Sequence, residues 1–209
     1  MTDHLFFKKP TWVLVLGLCV LGTNLGAVHA EDMVVEAAPP SVGATIEPVI
    51  QAVSEVNVLS EEAIRAFYKE SVDVQLTGAE ETLEFLDKHT HADAKSILHI
   101  RTLIQGQPPK KENVITSKED VLSDTKAAYE KGHISHVNTD ILSIDIAEGG
   151  QSAAISERTQ LDFTMPSSSG DQVSVKSKQS CDTALVLTDK IIQTKNSECD
   201  VEVNVKIIK

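Results

Sequence analysis

From Cys199 to Ile207 every second residue is apolar: Cys199, Val201, Val203, Val205 and Ile207 take one phase, and Asp200, Glu202, Asn204 and Lys206 the other. A two-residue period marks a strand with one face on a core and the other in water. The same period runs through residues 135–147, 151–164 and 172–188, so the final stretch, 191–208, completes a series of four strands. Gly149-Gly150, the PSSSG stretch at 166–170 and Asp189-Lys190 separate them as turns. Upstream, residues 95–105 (KSILHIRTLIQ) predict another strand, Gln107 to Lys111 with its two prolines a loop, and Asn113 to Thr116 a short strand.

Elsewhere the spacing turns helical. Ser60 stands before Glu61 and Glu62, an N-cap followed by acidic residues at the positive end of a helix dipole. Ala63, Ile64, Phe67, Val72 and Leu76 supply its apolar stripe to about Thr77. Thr77-Gly-Ala-Glu80 reads as a capping box opening a second helix, with Leu83, Phe85 and Leu86 as apolar contacts and an end near His89. Ser117-Lys-Glu-Asp120 opens a third, in which Val121, Leu122, Thr125, Ala128 and Tyr129 recur until Gly132 stops it. Helices followed by a run of strands predict an α+β fold, N-terminal helices packed on one face of an antiparallel sheet.

The first thirty residues carry a different signal. Lys8 and Lys9 precede a long apolar run, and Val28-His29-Ala30 fits a signal-peptidase site, so residues 1–30 are expected to be a signal peptide cleaved after Ala30. Gly17, Gly22, Asn24 and Gly26 argue against a permanent span, and no stable membrane span is expected after cleavage. Residues 31–59, rich in Ala, Val, Pro and Glu, read as a flexible acidic tether that docks only partly, leaving 60–209 as the domain. The full chain carries a formal charge of −12, and losing the leader removes two lysines and one aspartate, which makes it more acidic still. Such a chain has no electrostatic reason to bind nucleic acid.

Of three cysteines, Cys19 leaves with the leader and Cys181 and Cys199 remain. In an exported chain a remaining pair predicts a disulfide, and the compartment is periplasmic or extracellular. Both cysteines fall in the apolar phase of adjacent strands, but a two-residue turn at Asp189-Lys190 leaves them one position out of register. One extra residue is therefore expected within Lys195-Asn196-Ser197-Glu198.

Two capped helices, a strand, a proline-containing loop, a third helix and a four-strand meander follow one another over residues 60–209, with TGAEETLEFLDKHTHADAKSIL leading from helix to first strand. That order resembles the nuclear transport factor 2-like superfamily, which includes ketosteroid isomerase and the SnoaL-like cyclases. The resemblance implies a cystatin-type α+β cone: a curved half-barrel of antiparallel sheet around a pocket, its helices closing the base. It also implies a homodimer through the outer sheet face. The ketosteroid isomerase branch places a carboxylate near the end of the first strand and an oxyanion-binding tyrosine on the first helix. Here Ile97, Leu98 and His99 stand where the acid belongs, and Tyr68 lies on the right helix without an evident partner acid.

His99 and Arg101 share a strand phase with Ile97 and Leu103; if that phase faces the cone, His99 would serve as a base, but a hydrogen-bonded histidine or the rim of a dimer sheet is the plainer account. His89 and His91, flanked by Asp87 and Asp93, have ligand-like spacing, but zinc needs three or four converging ligands and solvation at a helix end is the plainer account. Neither metal nor cofactor is expected. Tyr68 and Tyr129 read most simply as core residues with a polar tip, and Glu157, Arg158 and Asp162 as exposed cross-strand partners. With no complete acid–base or nucleophile set in the sequence, the expected function is that of an exported binding or assembly module held by one disulfide. Its partner is a second copy or a small apolar ligand. The alternative is a lyase, isomerase or hydrolase acting on an apolar substrate in the cone pocket.

Overall fold

The computed structural model describes residues 56–167 and 170–208, so the expected leader, its cleavage site and most of the tether lie outside the described residues. Within them, helices α1 (Glu61–Thr77) and α2 (Ala79–His89) lead into strands β1 (Thr90–Ile104) and β2 (Lys110–Thr116). Helix α3 (Lys118–Lys131) is followed by β3 (His133–Ile146), β4 (Ser152–Pro166), β5 (Gln172–Thr188) and β6 (Ile191–Ile208).

Local chemistry explains two of the three helix starts. Ser60 Oγ accepts from the Ala63 amide at 3.1 Å. At α3 the box is reciprocal: Ser117 Oγ accepts from the Asp120 amide at 3.3 Å and Asp120 Oδ2 accepts from the Ser117 amide at 2.9 Å. The box expected at Thr77 does not form. Gly78 alone separates α1 from α2, so Thr77 is still helical, and its hydroxyl donates back to the Asp73 carbonyl at 3.1 Å. The joint is held instead by Tyr129 of α3, whose hydroxyl donates to the Gln75 carbonyl at 2.6 Å and lies 3.0 Å from the Thr82 hydroxyl.

The six strands form one open sheet in the order β2-β1-β6-β5-β4-β3. Four of the five pairings are antiparallel, as expected, but β1 runs parallel to β6, so the sheet is mixed. Alternation in a sequence tells which face a residue takes and is blind to strand direction. The β5–β6 turn has both Asp189 and Lys190 at positive φ (50° and 66°), the conformation of a tight two-residue hairpin. Leu185 faces Thr194 while Ala184 faces Asn196, which leaves Lys195 as the one extra residue. That bulge brings Cys181 directly opposite Cys199, Cα to Cα 4.1 Å, and the two form the disulfide.

All helices pack on one face of the sheet, chiefly over two apolar clusters, with a third, smaller one joining Leu86, Ala94 and Val121. Ile64, Phe67, Val74 and Phe85 of α1 and α2 meet Ile155, Leu185 and Ile192 in one. Ala128 of α3 joins Leu98, Leu161, Phe163, Val175, Val203 and the bridged cysteines in the other. The end of the expected tether belongs to this body: Leu59 is buried, its amide donating to the Gly150 carbonyl at 2.7 Å, and the Val56 amide donates to the Lys190 carbonyl.

Gly132, which ends α3, has an extended backbone (φ −168°) open to any residue, yet an added Cβ would collide with the Thr164 carbonyl and the Phe163 ring. Gly132→Ala is therefore expected to lower stability by about 2 kcal/mol through overpacking, measured as a fall in the urea midpoint. Replacing Cys181 and Cys199 together by serine is expected to cost about 3 kcal/mol in the chain-entropy account of an 18-residue closure, read in the same experiment.

Candidate functional site

On β4 the residues Ala153, Ile155, Glu157, Thr159, Leu161 and Phe163 point toward the helices and are all buried. Glu157 thus departs from its expected exposed role: the alternation sends it inward, only 4% exposed, and sends Arg158 to the opposite face. Asp162 does pair across strands, with Lys176 Nζ at 2.7 Å. Polar residues flank Glu157 between the two apolar clusters. Thr159 meets Thr139 hydroxyl to hydroxyl at 2.9 Å, and Gln179, Thr183, Ser197 and Ser96 continue a buried polar strip across the sheet.

Over this strip α1 lays Tyr68, next to Phe67 of the apolar cluster, with the hydroxyl beside the Glu157 carboxyl. Thr183 Oγ1 donates to Glu157 Oε1 at 3.3 Å, and Glu157 Oε2 is buried with no hydrogen-bond partner among the described residues. Burial pushes the carboxyl up to about 7, an effect that the Tyr68 and Thr183 hydroxyls only partly offset. Burial, followed by the charge of Glu157, raises the phenol well above the ordinary tyrosine value. Chemically this is a carboxyl able to change its charge near neutral pH, next to a hydrogen-bond donor that stays protonated. The sequence supplied Tyr68 but not its acid. The signal was there, since Glu157 shares a phase with Ile155, Leu161 and Phe163, but its charge argued outward.

His99 and Arg101 lie on the far side of the sheet. Leu98 and Ile100 take the core face of β1, so His99 and Arg101 face away from the helices and do not meet Tyr68. They line an open groove of about 640 Å³ with Lys111, Arg158, Lys178, Asp200 and Glu202. The His99 ring reaches Asn113 Oδ1 at 3.0 Å through Nδ1 and Glu198 Oε1 at 3.1 Å through Nε2. Two accepting oxygens favour the doubly protonated ring, and Asn113 first, then Glu198, raises its titration. Arg101 Nη1 lies 3.6 Å from Glu202 Oε2.

His89 is a core residue. Its ring stacks on Phe85 (centroids 4.4 Å apart) and donates from Nδ1 to the Ile192 carbonyl at 2.8 Å, while burial lowers its pKa. His91 accepts from the Asp93 amide at 3.1 Å. The two do not converge, and among the described residues no group of three His, Cys, Asp or Glu is placed to hold a metal ion. Among them, too, no helix is long and apolar enough to cross a membrane.

No family model and no curated protein matches the chain. Solved structures do. A nuclear transport factor 2-like protein from Cytophaga hutchinsonii is 16% identical, with 68% of this chain and 98% of that one aligned at a TM-score of 0.43. A ketosteroid isomerase-like protein from Erwinia carotovora atroseptica is 11% identical over 68% and 98%, TM-score 0.40. A domain of unknown function with a cystatin-like fold from Nostoc punctiforme is 13% identical over 67% and 75%, TM-score 0.39. In fold, the chain is similar to nuclear transport factor 2-like, ketosteroid isomerase-like and cystatin-like proteins.

Proposed function

We propose that the chain is an exported binding or assembly module that pairs with a second copy of itself through the sheet face opposite the helices. The observation that carries this reading is the charge pattern of that face. Lys111, Arg158 and Lys178 share one open groove with Asp200 and Glu202, and Ile97, Leu142 and Ile115 are exposed nearby. A twofold interface brings one patch against itself, so it needs both signs of charge on the same surface. The Cys181–Cys199 bridge fits an oxidising compartment. Sedimentation of the mature protein is expected to give twice the chain mass, and the double variant Arg158→Glu, Lys178→Glu to give one. A wild-type protein that sediments as a single chain overturns the reading.

A second reading is favoured by a different observation, the buried pairing of Glu157 with Tyr68. A carboxyl that titrates to about 7 beside a phenol suits proton transfer at neutral pH, as a lyase, isomerase or hydrolase of an apolar substrate requires. A panel of hydrophobic carbonyl compounds is then expected to raise the melting temperature of the wild type, and Glu157→Gln and Tyr68→Phe to remove the shift. If no compound shifts the wild type, this reading fails.

A further inference from the structure

The surroundings of Glu157 have a consequence that depends on neither reading. Along one row of the inner face, Ile141 of β3, Glu157 of β4, Cys181 of β5, Cys199 of β6 and Leu98 of β1 stand side by side. Glu157 is the one ionisable member, since the cysteines are bridged. On its own strand it lies between Ile155 and Thr159, and from β5 it meets the Thr183 hydroxyl. From α1 it meets the Tyr68 hydroxyl, and Glu70 on the same helix also carries a buried carboxylate oxygen. Among the described residues the groups that act on its titration are the Tyr68 and Thr183 hydroxyls, and neither is basic. When neutral, the carboxyl needs few partners. When charged, it has the Thr183 hydroxyl at 3.3 Å from Oε1 and the Tyr68 hydroxyl beside it, neither carrying a balancing charge, and Oε2 has no hydrogen-bond partner among the described residues. Beside it lies the apolar contact that fixes α1, made by Ile64 and Phe67 against Ile155 and Leu185.

We propose that Glu157 is a proton-operated latch between α1 and the sheet: protonated, it lets the helix close over β4 and β5; ionised, it loosens that closure. A buried charge without a counter-ion is among the costliest groups a protein interior holds, and the least expensive relief is to admit water by opening the element above it. The titration to about 7 places the change in the neutral range.

The sign follows from proton counting. The folded carboxyl titrates above its ordinary value of 4.5, so between 4.5 and about 7 the closed state holds more protons than the open one, and closure weakens as pH rises. His89 on α2 acts in the opposite sense. Its folded pKa is lowered, so it weakens the fold as pH falls through the ordinary histidine value. His99, on the far face with a raised pKa, contributes in the same direction as Glu157. The quantity that isolates the latch is therefore the difference between wild type and Glu157→Gln.

Hydrogen exchange of the α1 amides, corrected for the intrinsic effect of pH and measured from about pH 5 to about pH 8, reads that difference. Relative to Glu157→Gln, the wild type is expected to lose about tenfold or more of α1 protection across this range, each unit of pKa displacement being worth a factor of about ten. Glu70→Gln is expected to keep the wild-type slope. Parallel slopes in wild type and Glu157→Gln, or a slope that Glu70→Gln removes, overturn the proposal. If Glu157→Gln does not fold, carboxyl-carbon NMR of the wild type decides: a glutamate titrating near neutrality upholds the latch, and none above the ordinary carboxylate range overturns it.

Discussion

Side chains alternate strictly across a strand, so one extra residue decides which half of everything beyond it faces the core. In β6 that residue is Lys195. Before it, Ile192 fills the cluster beneath α1; after it, Cys199, Val201, Val203 and Val205 fill the cluster beneath α3. Without the bulge the final strand would turn Asp200 and Glu202 inward and strand Cys199 on the outer face. The disulfide then fixes the corrected register, since only directly opposed residues come close enough to bond. Both apolar clusters, and hence the seats of all three helices, follow from this register.

Two clusters instead of one leave a seam, and the seam is polar. Thr139, Thr159, Gln179, Glu157, Thr183, Ser197 and Ser96 occupy it, mostly paired hydroxyl to hydroxyl, as where Ser197 Oγ donates to Ser96 Oγ at 2.6 Å. Such pairs satisfy themselves and bring no net charge inside. Glu157 is the exception because it is ionisable, and the Thr183 and Tyr68 hydroxyls that meet its carboxyl carry no charge to balance its own. While the carboxyl is neutral, the apolar contacts on either side hold the helices down.

The strands were legible because their period is physical: one face wet, one dry. The caps at Ser60 and Ser117 were legible because a short polar side chain beside an amide is a local event, and the box at Thr77 was misleading because it ignored how little chain separates two helices. The start of β1, Thr90 to Ala94, was missed because its residues are mostly polar or small and show no apolar alternation. The face taken by His99 and Arg101 stayed open for the opposite reason. β1 has apolar residues in both phases, Ile97 and Leu103 in one and Leu98 and Ile100 in the other, so alternation alone could not choose. The Tyr68–Glu157 contact lies beyond any local pattern, since it joins a helix near one end of the fold to a strand far along the chain.

The parallel union of β1 with β6 sets an order on synthesis. A ribosome delivers β1 long before β6, and until the final strand emerges one edge of β1 exposes a row of unpaired amides and carbonyls. The two helices and the β1–β2 hairpin can assemble early, but the meander must be finished, down to its last strand, before that edge is covered. The nascent chain therefore carries a sticky margin from the completion of β1 at Ile104 until β6 begins at Ile191.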